Sequence, residues 1–353
     1  MQNTSKESKS NLIHFLFSHK TLILILTGVL LRILMLIFYY VMQIIQPGRS
    51  WGDVEINYNQ FDIYPPLTQV FLFVFKFLSF GSVEIFAFWA FFFDLLIMFV
   101  FYYVLKSYTI PKMMYAYGLF FINPFLFLNN VFSLSNCGYH ITDSFFFLLF
   151  FIALYYFPKT EKIHKYLFYI FLSLSICAKL YTLPAVALFF LKLVYDKDWN
   201  ELKIFLITTI IIMFIFIVAP IFYLEGYIGF FTFWNLRGEG YFPLYVRLIP
   251  AAILTILYFI FRFKRADKFE IIFASIFIMA LFIFFSNPYI RYFQPFIFFG
   301  ILKPKEFFEI NLNLRIKKLK VKIDNNLLVF LLSIICVFIA FLLIIFVLDP
   351  TYF

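Results

Sequence analysis

The chain has 353 residues and a mass of 42.4 kDa, enough for two soluble domains, yet 64% of its residues are hydrophobic and only 14% are charged. An ordinary globular protein is roughly 45–50% apolar and about 25% charged, and a water-facing fold has no room for 59 Phe and 24 Tyr. The composition therefore excludes a soluble protein and indicates a polytopic membrane protein. Cys137, Cys177 and Cys336 show neither zinc-like spacing nor a disulfide framework.

The N-terminal segment 1–20 carries Lys6, Lys9 and Lys20 and reads as cytoplasmic. The apolar run Thr21 to Gln46 is longer than a signal-peptide core, and no small-residue cleavage site follows it, so it reads as a retained spanning helix. Arg32, near its middle, needs a partner or a water path, and serves packing as readily as binding. The first outer loop, 47–83, begins Trp51-Gly52-Asp53-Val54-Glu55 and continues through Asn57-Tyr58-Asn59-Gln60 to Asp62-Ile63-Tyr64-Pro65-Pro66-Leu67. Asp53 and Glu55 share a face only if this segment is extended; on a helix they point about 200° apart. A solvated acidic loop is the plain reading of these residues. Clustered carboxylates at Asp53, Glu55 and Asp62 would also suit a divalent cation, though no cofactor is expected. Pro65-Pro66 sets the start of the next helix. That stretch, 66–80, is short, carries Lys76 midway, and reads as lying in the interface.

Further spans are expected at 84–105, 113–134, 143–157, 166–179, 181–195, 203–223, 243–261, 269–285, 289–302 and 327–348. The expected fold is all-α, one integral-membrane domain over 1–353 with about eleven transmembrane helices plus the interfacial helix. Alternating sides from a cytoplasmic N-terminus puts most of the 29 lysines and arginines inside, including Lys159, Lys162 and Lys165, the cluster Arg262 to Lys268, and the basic loop 303–326. Counting 66–80 as a span would put half of these loops outside. The excess positive charge is thus a topogenic signal, and no nucleic-acid partner is expected.

The ionisable residues left on the non-cytoplasmic side include Arg32, Arg49, Lys76, Lys179, Arg237, Arg247 and Arg291, with Asp53, Glu55, Asp62, Glu84 and Asp143. Ionisable groups near a bilayer face cavities and mark function, which places the site on the outer face. Asp53 just past the first span, followed by Tyr64-Pro65-Pro66-Leu67-Thr68, resembles the integral-membrane glycosyltransferases of the GT-C superfamily. The similarity is closest to those using polyprenyl- or dolichyl-phosphate sugars, including endoplasmic-reticulum glucosyltransferases with an Asp-Tyr-Pro-Pro-Leu-Thr string. In those enzymes an acidic residue of the first outer loop is the general base. Here Ile63 separates Asp62 from Tyr64, so the resemblance offers both Asp53 and Asp62 for the role.

The second outer loop, Asn136-Cys137-Gly138-Tyr139-His140-Ile141-Thr142-Asp143, is similar in position to the family's Gly-Gln-x-Asp loop. The glutamine is absent, so the resemblance carries over Asp143, with His140 as a neighbour or simply a polar loop residue. Ala178-Lys179-Leu180-Tyr181-Thr182-Leu183-Pro184 interrupts an apolar stretch, a break tolerated in a membrane only where it is buried in protein or lines a cavity. It is similar to the family's lysine-containing break, and the alternative is a lysine snorkelling at a helix end. Asn235-Leu236-Arg237-Gly238-Glu239 adds a further candidate cation. Ser286-Asn287-Pro288-Tyr289-Ile290-Arg291-Tyr292 resembles the family's late outer loop. Arg291 suits a lipid-linked phosphate, which a guanidinium binds bidentately, while the tyrosines equally suit an interfacial belt.

The resemblance implies an inverting hexosyltransferase with a polyprenyl-phosphate-linked donor in the bilayer and a lipid-linked or cell-envelope glycan acceptor. Asp53, Asp62 and Asp143 would form the catalytic set; Lys179, Arg291, Arg237, Tyr64, His140 and Glu55 would bind substrate. The rival readings are a lipid-linked sugar flippase and a catalytically inactive relative serving as a subunit. No Walker pattern, Gly-rich phosphate loop or HExxH occurs, and 303–326 is too short for a nucleotide-sugar domain. Small size and short loops fit a prokaryotic plasma membrane.

Overall fold

A computed structural model describes residues 20–45, 53–60, 64–108, 141–223, 244–284, 311–316 and 319–324. The expected spans 113–134, 289–302 and 327–348 lie outside them. The chain divides into two units, one made of 1–45, 109–129 and 300–353, the other of 46–108 and 130–299.

In the first unit, α1 runs Lys20–Ile45. Leu22, Leu26, Leu30, Ile33 and Ile37 recur at helical spacing and are all exposed, a stripe that suits lipid. Arg32 is buried, and its Nη1 donates to the Gly28 carbonyl at 3.2 Å. Among the described residues the exception to helix is an antiparallel hairpin of β1 (Asn311–Ile316) and β2 (Leu319–Asp324), inside the segment expected as a basic loop.

In the second unit the regular elements among the described residues are all helices. Two short helices, α2 (Asp53–Asn59) and α3 (Pro66–Phe77), precede the long α4 (Val83–Ser107). Pro66 occupies the first helical position of α3, where its missing N–H costs nothing, so the proline pair sets this start as the sequence indicates. A tight turn through Phe80 and Gly81, both at positive φ, leads to Ser82, whose hydroxyl accepts from the Ile85 amide at 3.2 Å and caps α4.

There follow α5 (Ile141–Tyr156), α6 (Lys162–Ala178), a single 3₁₀ turn (Leu180–Thr182) and α7 (Pro184–Tyr195). Next come α8 (Trp199–Met213), which continues as a π-helical turn (Phe214–Val218), and the short α9 (Pro220–Tyr223). The unit's last described helices are α10 (Leu244–Phe261) and α11 (Lys268–Phe284). From α4 on, these helices fall at the expected positions to within a few residues. Among the described residues, Val83–Ser107 and Trp199–Phe222 are long and apolar enough to cross a membrane, and α6 with α7 makes a third if the bent pair is one span. The protein is thus membrane-associated through apolar helices.

Aromatic contacts fill the core. Phe101 of α4 meets Phe151 of α5 at 4.6 Å, and Tyr169 of α6 meets Phe205 of α8 at 5.2 Å. Phe71 docks α3 onto α5 by stacking on Phe145 at 3.9 Å. At one end of the bundle the N-terminal turns of α6, α8 and α11 converge on buried Glu201. Lys165 reaches its Oε2 at 2.6 Å, Lys268 its Oε1 at 2.8 Å, and the Tyr169 hydroxyl donates to Oε1 at 2.8 Å. Two of the basic residues that the sequence assigns to one side of the membrane, Lys165 and Lys268, here share a counter-ion.

Candidate functional site

The site lies where α6 and α7 meet. Helix α6 stops at Ala178, Lys179 adopts an extended conformation (φ −157°, ψ 131°), and the two helices bend by 118°. Pro184 explains why one helix cannot run through. It has no N–H for the Leu180 carbonyl, and that carbonyl instead accepts from the Leu183 amide at 3.1 Å across the 3₁₀ turn. Such a break also leaves the last carbonyls of α6 in need of donors. The Thr68 hydroxyl, from the first turn of α3, supplies one to Ala178 at 2.6 Å, in a buried bond. The proline-led segment and the lysine-bearing break, far apart in sequence, are therefore joined directly.

Opposite the break stands the N-terminal turn of α5. Asp143 is buried there, and its Oδ1 accepts from the Lys179 ammonium and, at 3.1 Å, from the Tyr181 hydroxyl. Lys179 also lies over the Tyr181 ring, 4.9 Å from its centroid, and Phe146 packs edge-on against that ring at 5.1 Å. Thr142, Ser144 and Thr182 are buried around the group. Lys179 is thus held inward by an ion pair and is not a lysine snorkelling to the surface. The break thus carries a positive charge fixed beside a carboxylate and a phenol.

The other expected residues divide in three. Tyr64 lies just before α3, where its carbonyl accepts from the Gln69 amide at 2.8 Å. Asp53 and Glu55 lie on α2, which is helical, so they do not share a face. The extended arrangement that would let them bind one cation together is not adopted. Asp62, His140, Arg237 and Arg291 lie outside the described residues, as does the carboxylate of Asp53. Among the described residues no three His, Cys, Asp or Glu side chains gather as metal ligands.

Three participants were not assigned from sequence. Thr68 and Tyr181 stand in quoted motifs, but their partners are distant in sequence. Asn57 is the third. It follows Asp53 by four residues and so shares its face of α2. Its side chain is fully buried with no hydrogen-bond partner at either Oδ1 or Nδ2. A buried unsatisfied amide in a native fold calls for an explanation. Its sequence signal, a polar residue at i+4 from a candidate base, becomes visible only once α2 is known to be helical.

From the break, an apolar cavity of about 700 Å³ runs between α7 and α8. Leu183, Pro184 and Phe190 line one wall, and Phe205, Met213 and Phe214 line the other. The π turn of α8, which carries Phe214, also packs against α3. Insertions of this kind recur at functional sites.

Compared with known protein-family models, curated proteins and solved structures, the chain matches none.

Proposed function

We propose that the protein is an inverting glycosyltransferase of the GT-C type, with about eleven spans, that transfers a hexose from a polyprenyl-phosphate donor to a glycan or lipid-linked acceptor. The observation that carries this reading is the junction itself. Lys179, Asp143 and Tyr181 meet at a helix break to which Thr68 ties the proline-led segment. A lipid-linked sugar phosphate presents an anion and an isoprenoid chain. The part-buried ammonium of Lys179 suits the first, and the apolar cavity beginning at Leu183 suits the second.

In this reading Asp143 positions Lys179 and limits its motion. Asp53 or Asp62 takes the proton from the acceptor hydroxyl as it attacks the anomeric carbon, and the sugar–phosphate bond breaks with its electron pair going to the phosphate oxygen. The departing phosphate is stabilised by Lys179, with Arg291 and Arg237 as further cations. No general acid is required, because the phosphate leaves as an anion.

The competing reading is that the ion pair only pins the break. It is favoured by the direct contact between the two opposite charges. Purified protein supplied with short-chain polyprenyl-phosphate sugars and an acceptor extract separates the two. Transfer or slow donor hydrolysis is expected for wild type and is lost in Asp53→Asn, with donor binding weakened in Lys179→Gln. Folded protein that consumes no donor in the panel overturns the enzyme reading. Undiminished turnover in Asp53→Asn moves the base to Asp62.

A further inference from the structure

Strands β1 and β2 pair in a register that sorts the residues by chemistry. Leu312 opposes Ile323, Leu314 opposes Val321 and Ile316 opposes Leu319, while the alternate positions oppose Asn311 to Asp324, Asn313 to Lys322 and Arg315 to Lys320. Lys317 and Lys318 stand between the strands in sequence. By the period of two, one set of positions is wholly apolar and the other is rich in cations.

Three features make this hairpin difficult to sustain alone. A two-stranded hairpin is at best marginally stable in water. Like charges at directly opposed positions, as Arg315 and Lys320 are, destabilise it. A Lys-Lys connection supplies none of the glycine or asparagine that two-residue hairpin loops favour. A partner that offers both negative charge and an apolar phase would answer the first two, and a chain anchored by apolar helices has one beside it.

We propose that the hairpin 311–324 is an anionic-lipid-binding element. Phosphate-bearing headgroups neutralise the positions Arg315, Lys320 and Lys322, together with Lys317 and Lys318, and the apolar register positions are accommodated at the acyl boundary. The sequence places this segment on the cytoplasmic side, the leaflet in which anionic lipids concentrate. The proposal is independent of glycosyl transfer.

The test uses the full chain in nanodiscs of phosphatidylcholine alone and of phosphatidylcholine with phosphatidylglycerol, read by amide hydrogen exchange. Peptides covering 311–324 are expected to exchange roughly tenfold more slowly in the anionic discs at low salt, with the difference collapsing at high salt. Peptides from α6 and α8 should not change. Substituting Arg315, Lys317, Lys318, Lys320 and Lys322 together by Gln should remove the difference. Equal exchange in the two disc compositions, or protection that survives either salt or the five substitutions, overturns the proposal. The wild-type comparison alone decides the matter if the variant does not fold.

Discussion

Lys179 and Asp143 each lose most of their hydration, which costs several kcal/mol per ion and is recovered only through their mutual attraction and the added Tyr181 bond. Removing one member takes from the other its opposite charge in a largely desolvated setting. Lys179→Met is therefore expected to destabilise the protein by about 3 kcal/mol, read by thermal unfolding in detergent. Combining it with Asp143→Asn should recover most of that loss, because the amide carbonyl still accepts from Tyr181 without leaving a charge behind. If the pair serves only the fold, the double variant regains activity along with stability; if Lys179 binds substrate phosphate, stability returns and turnover does not. The sequence marks both residues as members of the site, because an ionisable group within apolar sequence is costly enough to require a purpose. It gives no sign that they touch, since a residue's local neighbours say nothing about a contact formed across two helices. Asp53 and Glu55 show the same limit differently. The alternation Asp53-Val54-Glu55-Ile56-Asn57 is the pattern of an extended strand, but Val54, Asn57 and Tyr58 are buried on one side of a helix.

Prolines decide where the elements begin, and that much is legible without a structure. Pro66 opens α3 and Pro184 opens α7, each for want of an amide hydrogen. What holds α3 in place is different in kind. The Thr68 hydroxyl bonds a carbonyl freed by a break over a hundred residues away, and Phe71 stacks on α5. Thr68→Val keeps the shape of the side chain and removes the donor, leaving a buried carbonyl unsatisfied at a cost of about 1–3 kcal/mol. Amide exchange in α3 is expected to quicken while the interior of α6, bonded within itself, keeps its protection. Unchanged exchange in α3 would show that aromatic stacking alone holds it.

Over the whole molecule, charge arranges the helix ends as much as it directs insertion. Summing basic residues by loop assigns α6, α8 and α11 to one side but leaves Glu201 unnoticed, because an acid in the first turn of a helix is ordinary. Yet Glu201 receives Lys165, Lys268 and Tyr169 together, and Lys268 also reaches Asp198 at 3.3 Å. Glu201→Gln takes the buried carboxylate from Lys165 and Lys268, which stay partly exposed and the second of which keeps Asp198, so stability should fall by about 1–2 kcal/mol; unchanged thermal unfolding in detergent would show that the three helix ends are held by apolar packing alone. This clamp and the helix break together have a consequence for depth. From Lys165 to Lys179 the chain climbs roughly 21 Å at about 1.5 Å per residue, against a hydrocarbon thickness of about 30 Å. With Lys165 among one layer of headgroups and α6 upright, the backbone at Lys179 stops about 9 Å short of the other layer. A group that meets the break must therefore reach below the plane of the neighbouring headgroups, because irregular backbone at that depth is tolerated only where protein or a polar cavity surrounds it.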